Sequence, residues 1–144
     1  MCCIRLLKFN YNKIEISGNF FTSIDQSKHL LDIGLNPETA DMCWGIDGDT
    51  MKYNNNPYPL PWKDYTAKDF YIPVWSITGL LKLMQPIRIG SEIFNWNMYP
   101  CFGGICIEYR EVESNKVLNS VEGENSTEAA YDMVCWLVEN KHIN

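Results

Sequence analysis

The chain of 144 residues has the length of one typical domain, enough to bury about two thirds of the surface of its unfolded form. With 46% hydrophobic and 21% charged residues it lies outside the composition of disordered chains, and a net charge of -6 argues against the clustered cations on which nucleic-acid affinity rests. No apolar run approaches the roughly 18 residues of a membrane-spanning helix.

The opening stretch Met1-Cys2-Cys3-Ile4-Arg5-Leu6-Leu7-Lys8 is short in apolar residues and broken by Arg5, so no signal peptide is expected. A cytoplasmic location is the corresponding expectation, with the six cysteines reduced and not a disulfide framework. Lys13-Ile14-Glu15-Ile16-Ser17 alternates with the period of a half-exposed strand, which Gly18-Asn19 ends. Thr22 or Ser23 then caps a helix that runs to about Ile33, with Gly34 as its stop. At helical spacing Ile24, Leu30, Leu31 and Ile33 share one side, and Asp25, Lys28, His29 and Asp32 the other.

Asn36-Pro37-Glu38 supplies an N-cap, a first-turn proline and an acid, and predicts a short helical turn to about Asp41. The apolar runs 42–46 and 50–53 flank Asp47-Gly48-Asp49, the signal of a hairpin. Three alternate prolines, Pro57, Pro59 and Pro61, make the next stretch a loop, and Ile77, Leu80, Leu81 and Met84 predict a buried helix over 74–84 that Pro86 ends.

Strands are expected over 92–98 and 105–112, separated by a turn with Pro100, Gly103 and Gly104. In the second, Ile105, Ile107 and Tyr109 mark a buried face that becomes solvated at Glu111 and Glu113. Residues 113–125 read as a polar loop, with Lys116-Val117-Leu118 as a candidate short strand. Asn125 and Glu128 have capping-box spacing and open a helix over 126–140. Its apolar arc holds Ala129, Ala130, Met133, Val134, Trp136, Leu137 and Val138, and the opposite arc holds Glu128, Asp132, Cys135 and Glu139. Irregular alternation of helices with antiparallel strands implies an α+β domain spanning 1–144, a mostly antiparallel sheet packed with about three helices.

The segments Ile24-Asp25-Gln26-Ser27-Lys28, Thr39-Ala40-Asp41-Met42, Ile72-Pro73-Val74-Trp75-Ser76 and Glu128-Ala129-Ala130-Tyr131-Asp132 resemble small uncharacterised proteins of Bacteroides genomes, prophages and mobile elements. The likeness covers about 23–142. It implies a bacterial or phage setting, carries no catalytic or binding residues, and marks 1–22 as a candidate peripheral extension.

Chemical motifs are sparse. Cys101 and Cys106 lack the Cys-x-x-Cys spacing of structural zinc sites, and Cys2 and Cys3 are adjacent. Cys135 is flanked along its helix by Asp132 and Glu139, whose charge disfavours a thiolate, and His29 lies one turn from Asp25 as a solvated pair. No Gly-x-Ser-x-Gly, phosphate loop or dinucleotide turn is present, and Asp47-Gly48-Asp49 lacks calcium ligands at Met51 and Tyr58. No catalytic residue, cofactor or metal is therefore expected.

Between Tyr53 and Trp75, aromatic side chains interleave with amides and prolines, a composition favoured at recognition surfaces. Tyr58, Trp62, Tyr65 and Tyr71 are the candidate partner-binding residues. The resulting expectation is a non-enzymatic interaction or accessory protein that meets a protein partner or its own copy, without direct nucleic-acid or membrane binding. The alternative is a small-ligand binder or enzyme whose pocket joins distant aromatic and acidic residues.

Overall fold

The computed structural model describes residues 20–46, 49–53, 57 and 71–144. The fold is α+β, with three α-helices and two antiparallel sheets among the described residues, one of two strands and one of four. No helix among these residues is long and apolar enough to cross a membrane.

Helix α1, Ile24–Asp32, starts at Ser23, whose side chain accepts from the Gln26 N–H while Gln26 accepts from the Ser23 N–H. That reciprocal pair satisfies two of the donors a helix start leaves open. Leu30 is fully buried beneath it, and Gly34, at φ 101°, allows the chain to leave in a conformation that a β-carbon disfavours. The turn Pro37–Thr39 follows, capped by Asn36.

Strand β1, Met42–Gly45, pairs with β2, Tyr71–Val74, and not with the segment just after it. Of the expected hairpin, Asp47 and Gly48 lie outside the described residues; among those described, its two flanks meet at one antiparallel bridge, Ile46 to Tyr53. Pro73 lacks an N–H, and a two-stranded sheet, where every strand is an edge, accommodates it.

Helix α2, Ile77–Leu83, begins three residues later than its apolar spacing suggests, because Val74 belongs to β2 and Ser76 is the cap. The Asp41 carboxylate accepts from the Ser76 N–H at 2.8 Å and from the Ser76 hydroxyl. A β-carbon at Gly79 would lie 2.6 Å from that carboxylate, so the glycine permits the close approach. Trp75 is fully buried; its N–H bonds Thr22 and its indole N–H bonds Thr39.

The larger sheet runs β3 (Ile87–Ile89), β4 (Glu92–Cys101), β5 (Gly104–Glu111) and β6 (Val117–Gly123), in that spatial order. Strand β3 lies in a stretch for which no element was expected, and most of β6 lies where a polar loop was expected. Glu111, expected to be solvated, is buried, and its carboxylate accepts from the Glu113 and Ser114 N–H groups to close the turn into β6.

Helix α3, Ser126–Glu139, is capped by Asn125, which accepts from the Thr127 and Glu128 N–H groups. The Glu128 carboxylate reaches the Glu124 N–H, one residue before the expected partner. Helices α2 and α3 pack together, and α3 lies across β5 and β6. Phe94, Ile107, Tyr109, Met133, Val134 and Leu137 form the centre of the core beneath them. Cys135 is buried too, contrary to its expected place on the polar arc.

Candidate functional site

Of the four aromatic residues expected to meet a partner, Tyr58, Trp62 and Tyr65 lie outside the described residues. Tyr71 is half-buried, packs against the core and opens β2 opposite Gly45. Its position is that of a sheet residue.

The richest polar constellation lies instead on the face of the four-stranded sheet turned away from α2 and α3. Period-two alternation sends Phe94, Trp96, Met98, Ile107 and Tyr109 toward the helices, and therefore sends Asn95, Asn97, Tyr99, Cys106, Glu108 and Arg110 to the other side. Register brings Tyr99 opposite Cys106, Asn97 opposite Glu108 and Asn95 opposite Arg110. A shift in pairing with β6 after Tyr109 sets Arg110 against Val117, a bulge that locally increases twist.

Glu108 is the centre of this face, and only 5% of it is exposed. One carboxylate oxygen accepts from Arg110 Nε at 2.6 Å and the other from the Tyr99 hydroxyl at 3.1 Å. The Arg110 bond holds the Glu108 carboxyl below its ordinary range, with Tyr99 assisting and burial opposing. Arg110 is held in its charged form by the same bond. The Tyr99 hydroxyl is shifted upward, mainly through Cys106 and then through Glu108.

Cys106 donates its S–H to the Tyr99 oxygen at 3.4 Å, and its sulfur lies 3.3 Å from the Ser120 hydroxyl. Since the thiol proton is committed to Tyr99, Ser120 is the donor to sulfur. The chain of bonds thus runs from Ser120 through Cys106 and Tyr99 to an ionised carboxylate. Both oxygens of Glu108 are occupied, so the group has the character of a fixed anchor and not of a general base.

Arg110 also donates from Nη1 to the Asn115 carbonyl at 2.8 Å, fixing a turn in which Asn115 holds φ 59°. A hollow of about 320 Å³ opens beside it, lined by Asn95, Asn97, Arg110, Glu111, Val112 and Asn115. At the far end of the sheet the β4–β5 turn carries Phe102, which is fully exposed, and Tyr99 three residues earlier is 40% exposed.

A second cluster joins α1 to α3. The His29 ring nitrogen lies 2.6 Å from the Tyr131 hydroxyl and 3.8 Å from the Cys135 sulfur. His29 therefore meets α3 across the fold, a contact invisible in its spacing from Asp25. Burial, reinforced by Asp132 and Glu139, pushes the Cys135 thiol up to about 11, which keeps it protonated and unsuited to nucleophilic attack. Among the described residues, no three His, Cys, Asp or Glu side chains converge as a metal site.

Compared with known proteins, the chain matches no family model, no curated protein and no solved structure.

Proposed function

We propose that this chain is a non-enzymatic interaction module, in the bacterial or mobile-element setting its sequence resembles, and that it meets a protein partner through the β4–β5 hairpin and the adjoining outer sheet face. The observation that carries this reading is Phe102, a large aromatic side chain wholly in water at a turn tip, three residues beyond the partly exposed Tyr99. Aromatic anchors set among hydrogen-bonding groups are the usual centres of binding energy in interfaces. Beneath them, the Glu108–Arg110 pair and the Tyr99 hydrogen bonds hold the presenting strand in one conformation. That rigidity lowers the ordering cost of association.

Beyond Phe94, strand β4 pairs only with β5 among the described residues, so its other edge offers backbone donors and acceptors alongside Phe102. The test compares the tagged protein with a Phe102→Ser variant in capture from bacterial lysate, with light scattering to detect self-association. A specific protein held by the first and lost by the folded second supports the module. Equal capture by both removes the hairpin from the interface.

The hollow beside Arg110 favours a second reading, a small-ligand site. Its amides both donate and accept, which suits a neutral polyhydroxyl compound better than an anion, because Glu108 already pairs with the single guanidinium and the Glu111 carboxylate lines the same hollow. Saturable binding of a simple sugar, abolished by Asn97→Ala, would favour it.

A further inference from the structure

A different hollow, which shares no lining residue with the one beside Arg110, has its own chemistry. It lies where the end of α3 meets β3 and has a volume of about 220 Å³. Arg88, Lys141 and His142 contribute to its wall, with Ile87, Leu137 and Ile143 as apolar surface, and no carboxylate lines it. In a chain of net charge -6, two cations and an imidazole thus gather without a neutralising acid in the cavity. Among the described residues, neither Arg88 nor Lys141 takes part in an ion pair. We propose that this hollow is a binding site for a small organic carboxylate with a short apolar body.

The backbone gives Lys141 an unusual place. The last turn of α3 closes with the His142 N–H on the Leu137 carbonyl at 2.8 Å and the Lys141 N–H on the Val138 carbonyl at 3.0 Å. These two bonds define the helix ending in which the residue after the cap is left-handed, a position that favours glycine. Here Lys141 occupies it at φ 60°. A lysine there costs conformational energy that glycine would not, and Lys141 lines the hollow that Arg88 also lines. The same ending satisfies the final carbonyls of α3 internally, so the helix terminus does not consume the lysine charge.

The ligand class follows from the wall. A guanidinium fork matches a planar carboxylate through two parallel hydrogen bonds, and an ammonium adds a point charge from a second direction. The His142 ring, 5.1 Å from Trp136 between ring centres, is steadied against that indole and supplies a further polar edge. Ile87, Leu137 and Ile143 would leave an inorganic anion with one side poorly solvated, whereas an apolar body gains by covering them. The volume corresponds to roughly seven waters, which limits the ligand to fragment size.

The test is a titration of the full chain with benzoate followed by amide NMR, with neutral benzamide and inorganic phosphate in parallel. Benzoate is expected to give saturable shifts at Arg88, Lys141 and His142, and benzamide none. Arg88→Gln and Lys141→Gly should each weaken benzoate by about tenfold or more, the loss of one charge-assisted hydrogen bond. Lys141→Gly should also melt at the same or a higher temperature than the parent, which separates a lost ligand contact from a damaged fold. The proposal is overturned if benzoate gives no saturable shift, if benzamide binds equally well, or if affinity is unchanged in both variants. Phosphate binding tighter than benzoate would overturn the assignment of an apolar body.

Discussion

Strand β5 is buried on both of its faces, and the two faces reach burial by different physics. On the inner face Ile107 and Tyr109 are covered by the helices and contribute through apolar area and close packing. On the outer face Cys106 and Glu108 are covered by neighbouring strands' own side chains, and a charge sits there because Arg110 and Tyr99 satisfy it. The inner face makes the fold stable. The outer face fixes one arrangement of groups at a surface, which is what recognition requires.

The largest expected effect separates the two faces directly. Ile107→Ala removes side-chain volume from a site with no exposed surface, and should cost about 2–5 kcal/mol in urea unfolding. An outer-face change that leaves the hydrogen-bond inventory intact should not approach that loss.

Arg110→Gln is the next step down. It withdraws the strongest partner of Glu108, so its effect should depend on pH while that of Ile107→Ala does not. The folded-state pKa of Glu108 lies below its ordinary 4.5, so the pair stabilises above that value and its contribution is lost as pH falls through the folded value. The gap in urea midpoint between parent and variant should therefore be full at pH 7 and shrink as pH drops below 4.5. A gap that stays constant down to pH 3 would mean that Arg110 acts through packing alone.

Asn125→Ala tests a purely local contribution on the helix that covers the inner face. Two N–H groups lose their acceptor, and the expected cost is about 1 kcal/mol. Because Asn125 touches neither face of β5, this loss should add to that of Arg110→Gln, and a double variant checks the independence.

The contrast also explains how much could be read before the fold was known. Helices α1 and α3 were legible because their signals are local: a capping Thr22 or Ser23 and the stop at Gly34, Asn125 with Glu128, and apolar residues at helical spacing. Pairings between distant segments were not. Strand β6, an edge strand among the described residues, has alternating polar residues that resemble a loop until β5 lies beside it, and β1 pairs with the distant Tyr71–Val74. The outer face was half legible. The alternation of Cys106, Glu108 and Arg110 is plain in the sequence, but the charge of Glu108 points to solvent by default. Its burial rests on Arg110 two residues along the strand and on Tyr99, which the hairpin register brings opposite Cys106. Likewise His29 and Tyr131 share no sequence signal, since their contact depends on α1 crossing to α3.

The smallest expected effect on stability carries the most functional information. Phe102 is fully exposed at the turn, so Phe102→Ser should change stability by no more than about 0.5 kcal/mol. Tyr99→Phe differs, because it keeps the ring but deletes the hydroxyl that receives the Cys106 proton and donates to Glu108. If the hairpin is the anchor, Phe102→Ser abolishes partner capture with an unchanged melting curve, whereas Tyr99→Phe lowers the melting temperature and spares capture. Reversal of that pattern would shift the interface from the turn tip to the hydroxyl network. The two variants, one residue type at each of two neighbouring sites, thus separate the surface that touches a partner from the scaffold that holds it still.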